Sequence, residues 1–566
     1  MGIKYFFKWI KDNFTLKKLK NEKVPVNIDC LLIDLNGIFH SSTQKVFKYG
    51  EYKEEKTLFL KPKIETYKCL EEKVFVNVCE RIQTIVELVS PKKKLVLCVD
   101  GPAPIAKQRQ QRGRRFVRAL EAETAFDSNA ITPGTRFMDH LGRYIDFFIR
   151  KQISSKNAYW KEIEVVFSNE KAPGEGEHKL LNYFRKLKNK SDTNSYCIYG
   201  MDADLIMLCL ATNHSNFYIL REEHYEPEVD FNFICIDEIK AKLLSMLNWN
   251  EQKEVETVSN EVETKPFNNI CAIQDFILMC FLVGNDFLPH MPGMEINQNG
   301  LSIMIECYIS QCRLYGHITN NDLTFNLVAL RMFLKALSKL EQVVFNKKID
   351  ELKTCFDDPL LKKNIVSDTV NLNAYKKDYY KVKLLNTDSA KLCHDYIQGL
   401  HWVLSYYVQG ISNWKWFYPY NYAPFASTLY KHVATFELLK PVITKPTLPF
   451  IQLLSVLPPT SNRLIPPPLC GLLTFDGLLK AYCPSKFHID TDGMKQKWEG
   501  VPILPFIDYD EVEKLYLQYR DYIPEKDLKR NKLGRSYVYK YSETGYTFNS
   551  YYGTINCYVK TEVIDL

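Results

Sequence analysis

Short apolar runs alternate with amphipathic segments through residues 1–245, and this alternation restricts the folds open to the chain. Four runs have the length and composition of buried strands: CLLIDLNG, KLVLCVDG, IEVVFS and YCIYGMDADLI. One intervening segment, EGEHKLLNYFRKLKN, carries apolar side chains at helical spacing. Strands that alternate with helices predict an α/β fold with a mostly parallel sheet and flanking helices.

Changes in composition divide the chain further. We expect a first domain at 1–345, with an exposed acid-rich loop at about 249–268, and a Lys/Asp/Asn-rich linker or arm at 346–390. A second region at 391–520 is dense in aromatic residues and prolines and is expected to pack against the first domain. The tail at 521–566 begins basic and then alternates in the manner of an edge strand or hairpin.

The composition excludes several classes of protein. Hydrophobic residues make up 46% of the 566 residues, which is too many for a fully disordered chain. No run approaches about 18 apolar residues, so we expect no membrane-spanning helix. The N-terminal MGIKYFFKWI does not have the order of a secretory signal. The 16 cysteines include no CxxC pair, so they predict reduced thiols, as in a cytosolic or nuclear protein, and no zinc site.

Acidic residues recur where the predicted strands end. They are Asp34, Asp100, Glu175, Glu177, Asp202, Asp204 and Asp286. Because the carboxyl ends of parallel strands lie at one edge of a sheet, we expect these side chains to converge. Any one of them alone would as readily cap a helix, but the recurrence favours a site. Converging carboxylates repel each other unless cations neutralise them, and such oxygen ligands suit Mg²⁺ or Mn²⁺. Two such ions about 4 Å apart activate water for phosphodiester hydrolysis.

The spacing of the acids adds detail. Glu175 and Glu177 are two residues apart, as are Asp202 and Asp204, so in extended backbone both members of a pair point the same way. Gly176 between the first pair allows a close approach of other groups. Glu177 is also expected near the start of a helix, where its negative charge is favourable.

A run of cations without acids follows the second predicted strand, in IAKQRQQRGRRFVRAL. Lys107, Gln111, Arg114 and Arg115 lie on one face of the predicted helix. Three cations and an amide form a pocket for a compact dianion such as a terminal phosphate. The alternative is a solvated basic face that touches nucleic acid nonspecifically. Gly113 costs about 1 kcal/mol in a helix relative to Ala, which indicates that a neighbour requires its small size.

Taken together, these segments resemble the XRN family of 5′→3′ exoribonucleases. The matching segments include DLNGIFH, VDGPAPIAKQRQQRGRRF, PGEGEHKLLNYFR, YGMDADLIML, CFLVGNDFLPH, HWVLSYYVQGISNWKWFYPYNYAPFAS and DGMKQKWEGVPILPFID, in family order. The resemblance implies a flap-nuclease-like (PIN-like) fold, two metal ions, a second region that closes the site, and processive hydrolysis of 5′-monophosphorylated RNA to mononucleotides. By motif, the seven acids match the catalytic metal ligands. The four residues of the basic helix face match the 5′-phosphate pocket.

The resemblance also implies that His40 and a tryptophan stack on the leading bases, and we favour Trp416 over Trp414 for that role. Stacking holds any base without reading sequence. The match covers nearly the whole chain, but the further C-terminal domains of the large members are not evident. We therefore expect a minimal form of the family, reduced to a catalytic core.

Two other functions stay open at this point, a structure-specific DNA flap nuclease and a catalytically silent RNA-binding factor. The segment NWKWFYPYNYAPF matches the RNA enzymes, and the intact acids argue against a silent factor. The expected partner is single-stranded 5′-monophosphate RNA, with the decapping machinery as a candidate protein partner. We expect a monomer that acts in RNA decay after decapping, without a membrane, in the cytoplasm; a nuclear location stays open.

Overall fold

A mixed sheet of nine strands forms the centre of the part of the chain that the structure describes. The computed structural model describes residues 2–20, 22–50, 67–121, 125–155, 158–187, 193–223, 229–250, 264–440 and 442–566. Within these ranges the strands are β1 (Lys17–Leu19), β2 (Cys30–Asp34), β3 (Lys94–Cys98), β4 (Glu164–Ser168), β5 (Tyr196–Tyr199), β6 (Phe217–Glu222), β7 (Phe231–Cys235), β8 (Ile365–Val366), β9 (Thr369–Val370), β10 (His488–Asp490), β11 (Val501–Ile503), β12 (Ser536–Ser550) and β13 (Gly553–Ile564).

The strand order in the central sheet is β1-β7-β6-β5-β2-β3-β4-β12-β13. The five inner strands, from β6 to β4, run parallel, whereas the two strands at each edge pair antiparallel. The four strands predicted from sequence are the inner strands β2 to β5. The predicted α/β fold is therefore confirmed, but the sheet is mixed, because antiparallel strands complete both of its edges.

Helices cover both faces of this sheet. They are α1 (Phe6–Asn13), α2 (Asn36–Phe47), α3 (Tyr67–Val89), α4 (Ile105–Arg118), α5 (Arg136–Ser154), α6 (Ala158–Glu162), α7 (Gly176–Leu187), α8 (Asp204–Ala211), α9 (Ile236–Leu247), α10 (Asn269–Leu282), α11 (Gly300–Tyr315), α12 (Leu327–Glu351), α13 (Pro359–Lys363), α14 (Leu372–Val382), α15 (Ser389–Gln409), α16 (Ala426–His432), α17 (Pro449–Val456), α18 (Pro467–Cys470), α19 (Tyr509–Tyr519) and α20 (Glu525–Leu528). None of the described helices is long and apolar enough to cross a membrane.

The two faces of the sheet bury separate hydrophobic cores, as strand β2 illustrates. Cys30 and Leu32 pack into one core, and Leu31 and Ile33 pack into the other. Successive side chains of a strand point to opposite faces, so a strand buried on both faces reads as a continuous apolar run. This explains why the inner strands are recognisable from sequence.

The C-terminal tail completes one edge of the central sheet. Strands β12 and β13 form an antiparallel hairpin, and β12 also pairs with β4, with Tyr537 opposite Phe167. The alternating pattern of the tail thus corresponds to a hairpin, as expected. The boundary at 521 divides the sequence by composition, whereas in the structure the hairpin is continuous with the sheet of the first domain.

Residues 346–390 do not form the expected linker. The segment contains the end of α12, helices α13 and α14, the β8–β9 hairpin and the start of α15. The polar residues that suggested a linker are helix caps: the side chains of Asp358, Asn371 and Asp388 accept hydrogen bonds from backbone N–H groups of the following turn. Tyr375 and Tyr379 of α14 are buried. The expected loop at about 249–268 lies mostly outside the described residues, which omit 251–263.

A buried carboxyl group in the loop after β4 gives the fold a testable pH dependence. Glu170 is buried, and its Oε2 atom has no hydrogen-bond partner among the described residues. A Cβ atom on Gly142 of α5 would lie 2.3 Å from that oxygen, so the helix packs directly against the carboxyl. Burial raises the pKa of Glu170 from 4.5 to about 7.

We expect Glu170→Gln to stabilise the protein more at pH 8 than at pH 5. The unfolded chain loses this proton near pH 4.5 and the folded chain near pH 7, so wild-type stability falls as pH rises between those values. The glutamine does not titrate, so its advantage grows across this window and reaches about 3 kcal/mol above it. Urea unfolding of both proteins at the two pH values measures the difference. An equal difference at pH 5 and pH 8 would contradict the assignment.

Candidate metal centre and phosphate pocket

The carboxyl ends of strands β2, β3 and β5 lie side by side, and acidic residues meet there. Asp34 ends β2 and Asp100 follows β3, while Asp202 follows β5 and Asp204 begins α8. Glu175 and Glu177 lie at the start of α7, after β4. The parallel register of these strands brings six of the seven predicted acids to one edge. Asp286 differs from the prediction, because it follows helix α10 and no strand.

Three of these acids form the tightest cluster. One carboxylate oxygen each from Glu177, Asp202 and Asp204 lies within 4.8 Å of the other two. Glu177 Oε2 and Asp204 Oδ1 are buried and have no hydrogen-bond partner among the described residues. Burying unpaired carboxylates is costly unless a cation neutralises them. The orphaned oxygens therefore fit a divalent cation held by these three residues.

Two of the three carboxyl groups, Glu177 and Asp204, are disfavoured as anions in the metal-free protein. Burial and the neighbouring carboxylates Asp204 and Asp202 raise the pKa of Glu177 well above its usual value. Burial, Asp202 and Asp286 raise the pKa of Asp204 to about 6. Like charges in a buried site disfavour ionisation, so a bound cation would restore the ionised forms.

Asp34 and Asp100 form a second pair beside this cluster. Burial and the charges of Asp100 and Asp202 raise the pKa of Asp34 well above its usual value. Asn36 Nδ2 donates to Asp100 Oδ2 at 2.8 Å, and Asn36 Oδ1 accepts from the Asp100 N–H at 2.9 Å. Asn36 thus orients one of the predicted ligands.

Gly176 is required by this packing. Its N–H donates to Asp100 Oδ1 at 2.6 Å, and a Cβ atom on it would lie 2.4 Å from Asp34 Oδ1. The expectation that Glu175 and Glu177 point the same way assumed extended backbone, whereas α7 begins at Gly176 and places Glu177 in its first turn. Glu175 accordingly contacts Lys107, whereas Glu177 lies with Asp202 and Asp204.

Lys107 connects the basic helix α4 to the acids. Its Nζ atom lies 2.5 Å from Glu175 Oε2 and 2.7 Å from Asp286 Oδ2. Although burial lowers the pKa of Lys107, these two carboxylates and Glu177 raise it well above its usual value. Burial raises the pKa of Glu175 to about 7, against the influence of Lys107. Lys107 is thus a fixed cation among the acids, and it brings Asp286 to the site.

The other three predicted phosphate ligands differ in exposure. Gln111 and Arg115 are buried, whereas Arg114 is exposed. The Arg115 Nη1 atom is buried without a hydrogen-bond partner among the described residues. Burial and the charge of Arg114 lower the pKa of Arg115 to about 9. A buried guanidinium with an unused donor is a site that an anion would stabilise.

Two further cations of α4 have structural partners. Arg109 donates to the Tyr420 carbonyl at 2.7 Å and to Asn421 Oδ1 at 2.8 Å. Arg112 donates to the Pro505 carbonyl at 3.1 Å and to the Tyr482 carbonyl. They attach the region after residue 391 to the helix. The packing of the same region against α4 explains Gly113, because a Cβ atom there would lie 3.1 Å from Pro502 Cγ.

The predicted stacking residues His40 and Trp416 have different surroundings. Burial and the charges of Arg114, Arg118 and Arg115 lower the pKa of His40 to about 3, so its ring is neutral. Trp416 stacks on Trp402 of α15, with ring centroids 4.7 Å apart. The Trp414 carbonyl accepts a hydrogen bond from the Ile105 N–H, at the start of α4. The base-stacking role of His40 and Trp416 stays a prediction.

Sequence reasoning missed two tyrosines that reach the acids from α15. Tyr406 donates to Glu175 Oε1 at 3.0 Å, and Tyr407 donates to Asp204 Oδ2 at 3.3 Å. The only signal is the pair of adjacent tyrosines in an otherwise apolar helix, HWVLSYYVQG. Such a pair is ordinary in a helix that is buried on most of its surface, so it does not by itself indicate a site.

Two family models match this chain. Residues 1–223 match the family model described as "XRN 5′-3′ exonuclease N-terminus", and residues 266–358 and 355–562 match "Xrn1 helical domain". The catalytic core of Rad2 in complex with DNA aligns with 67% of this chain and 86% of its own, at 14% identity and a TM-score of 0.33.

Three curated relatives are named 5′-3′ exoribonuclease 1 or a 5′-3′ exoribonuclease 2 homolog. Human 5′-3′ exoribonuclease 1 is 30% identical over 94% of this chain and 35% of its own length. The Schizosaccharomyces pombe protein of that name is 28% identical over 96% of this chain and 50% of its own length. The Drosophila melanogaster 5′-3′ exoribonuclease 2 homolog is 28% identical over 95% of this chain and 73% of its own length. The chain thus spans about a third of the length of the human relative and about half of the length of the S. pombe relative. With family models matched on both sides of residue 250, the chain belongs to the XRN family of 5′→3′ exonucleases.

Proposed function

We propose that this chain is a metal-dependent 5′→3′ exoribonuclease that removes mononucleotides from RNA with a 5′ monophosphate. The observation that carries the proposal is the orphaned pair of carboxylate oxygens on Glu177 and Asp204, with the unused Arg115 donor on the neighbouring helix α4. The first feature suits a cation and the second suits a phosphate. Membership of the XRN family supports RNA as the substrate over DNA.

The acids would hold two divalent cations, Mg²⁺ or Mn²⁺. Glu177, Asp202 and Asp204 are the proposed ligands of one ion, and Asp34, Asp100, Glu175 and Asp286 complete the ligand set. Bound ions of this kind activate water and stabilise the leaving oxygen in phosphodiester hydrolysis.

The remaining residues bind and orient the substrate. Gln111, Arg114 and Arg115 would hold the terminal phosphate, whose charge exceeds that of an internal phosphate. Lys107 is the fourth residue of this face of α4 and pairs with Glu175, so it would keep the terminal phosphate next to the scissile bond. His40 and Trp416 would stack on the leading bases. After each cleavage the new 5′ phosphate would enter the same pocket, which gives the reaction its direction.

The biological setting is also a proposal. RNA with a 5′ monophosphate is the product of decapping, so we propose a role in RNA decay after decapping. We further propose that the protein acts in the cytoplasm as a monomer. The net charge of +7 is compatible with an RNA substrate.

We expect purified protein with Mg²⁺ to degrade RNA that carries a 5′ monophosphate and to spare the same RNA with a 5′ triphosphate. The triphosphate adds volume and charge that a pocket built from Gln111, Arg114 and Arg115 does not accommodate. The measurement follows the loss of two 3′-labelled RNAs of one sequence, with a DNA of the same sequence as a third substrate.

EDTA is the control, and it is expected to stop the reaction. Loss of the monophosphate RNA without intermediates would support the phosphate pocket and processive cleavage together. Internal cutting of both RNAs would contradict the phosphate pocket. Preferential cleavage of the DNA would favour a DNA nuclease instead.

A further inference from the structure

Helix α15 brings two tyrosines from the helical region to the acidic cluster. Tyr406 and Tyr407 are 2% and 1% exposed, so their hydroxyl groups have no access to bulk water. Tyr406 donates to Glu175 Oε1 at 3.0 Å, and Tyr407 donates to Asp204 Oδ2 at 3.3 Å. Each hydroxyl thus meets one proposed metal ligand.

The second oxygens of the two carboxylates have different surroundings. Glu175 Oε2 contacts the Lys107 ammonium at 2.5 Å, and Asp204 Oδ1 has no hydrogen-bond partner among the described residues. A tyrosine hydroxyl that donates to one carboxylate oxygen fixes the rotation of the whole group. Asp204 Oδ1 is then left without a competing hydrogen bond, and the Glu175 oxygens keep lone pairs beyond those that Tyr406 and Lys107 use.

Both tyrosine rings are held by their neighbours. The Tyr406 ring stacks on His178 of α7 with centroids 3.7 Å apart and planes 4° apart, and it also contacts Phe287. The Tyr407 ring meets His178 edge to face and packs against Phe281. These contacts restrict rotation, so the hydroxyl positions are set before any ligand binds.

A hydrogen bond also joins the backbone of α15 to helix α7, next to the two tyrosines. Arg185 of α7 donates to the Tyr407 carbonyl at 2.5 Å. Helix α7 also carries Glu177 in its first turn. The two helices that carry the tyrosines and the acids are therefore joined by a ring stack and a charge-assisted hydrogen bond.

We infer that Tyr406 and Tyr407 are positioning residues of the metal centre, through which the helical region orients Glu175 and Asp204 for metal binding. The inference rests on the proposed function for the presence of a metal, and it assigns a role to residues outside the acid motifs. Groups that orient a metal ligand typically contribute 10-fold to 100-fold to metal affinity. The region after residue 266 would then be part of the metal centre as well as of the substrate path.

The test measures metal binding without RNA. We expect Tyr406→Phe and Tyr407→Phe each to raise the Kd for Mn²⁺, and the double variant to raise it by about 10-fold to 100-fold. The electron paramagnetic resonance signal of free Mn²⁺ gives the number of ions bound and their affinity. In parallel, the Mg²⁺ concentration that gives half-maximal cleavage is expected to rise, with the rate recovering at high Mg²⁺.

Tyr308→Phe is the matched control. Tyr308 is also buried, and its hydroxyl donates to a buried carboxylate, Asp275 Oδ2, at 3.0 Å. Asp275 is no part of the acidic cluster, so this variant loses the same kind of hydrogen bond without touching a proposed ligand. We expect its unfolding temperature to fall and its Mn²⁺ affinity to stay at the wild-type value.

The outcomes separate this inference from the proposed function. A double variant with Mn²⁺ affinity within twofold of wild type would overturn the inference, and so would an equal loss of affinity in Tyr308→Phe. Wild-type protein that binds no Mn²⁺ would overturn it too. Wild-type protein that binds Mn²⁺ but cleaves no RNA would refute the proposed function, while the affinities of the variants would still decide the role of the tyrosines. If the double variant does not fold, the single variants give the same comparison.

Discussion

Replacing Asp204 with asparagine is expected to lower the rate of RNA cleavage by about 1000-fold while the protein stays folded. Asp204 is buried, and one of its oxygens lies within 4.8 Å of oxygens of Glu177 and Asp202. The amide has the same shape but carries no negative charge, so it weakens a metal site whose contribution to the transition state is several kcal/mol. Single-turnover cleavage of 5′-monophosphate RNA at saturating Mg²⁺ measures the loss.

The stability of the same variant provides an independent check. Burial, Asp202 and Asp286 raise the pKa of Asp204 to about 6, so the ionised carboxylate destabilises the metal-free protein at pH 8. We expect the asparagine variant to unfold at the same or a higher temperature than wild type in metal-free buffer, and to gain less from added Mg²⁺.

Asp378→Asn serves as the matched control for Asp204→Asn. Asp378 lies on α14, where it pairs with Lys363 at 2.8 Å, and it has no contact with the acidic cluster. We expect this variant to cleave RNA at the wild-type rate. Cleavage within tenfold of wild type by Asp204→Asn would refute the assignment of Asp204 as a metal ligand.

The convergence of the acids could be predicted from sequence because it depends on the order of parallel strands. Strands β5, β2 and β3 are neighbours and run parallel, so residues that follow them, such as Asp34 and Asp100, must lie at one edge. The directions of the side chains could not be predicted. They depend on where each strand gives way to a helix, and α7 begins at Gly176, so the extended backbone assumed for Glu175 and Glu177 is not present.

The basic helix shows a second limit of sequence reasoning. Its spacing predicts one face, yet Lys107 pairs with Glu175 and Asp286, and Arg109 binds backbone carbonyls about 310 residues further along the chain. Local periodicity carries no information about such distant partners. The same holds for 346–390, where caps such as Asp358 begin helices that composition alone did not indicate.

Replacing Arg115 with alanine is expected to remove most of the preference for a 5′-phosphorylated end. Arg115 is buried, and its Nη1 atom has no hydrogen-bond partner among the described residues, so a bound phosphate would be the group that satisfies it. A hydrogen bond between charged groups contributes about 1.5–3 kcal/mol, which corresponds to about 10-fold to 100-fold in kcat/KM. The measurement compares kcat/KM for two RNAs of one sequence, one with a 5′ phosphate and one with a 5′ hydroxyl.

The ratio of the two kcat/KM values isolates the phosphate contact, because any general loss of activity affects both RNAs. Arg112→Ala is the control from the same helix, since Arg112 donates to the carbonyls of Pro505 and Tyr482 and has no predicted contact with substrate. We expect that variant to unfold at a lower temperature and to keep the wild-type ratio. If Arg115→Ala also kept the ratio, its guanidinium would have to be a structural group like that of Arg112, and the preference for chain ends would have to arise elsewhere in the site.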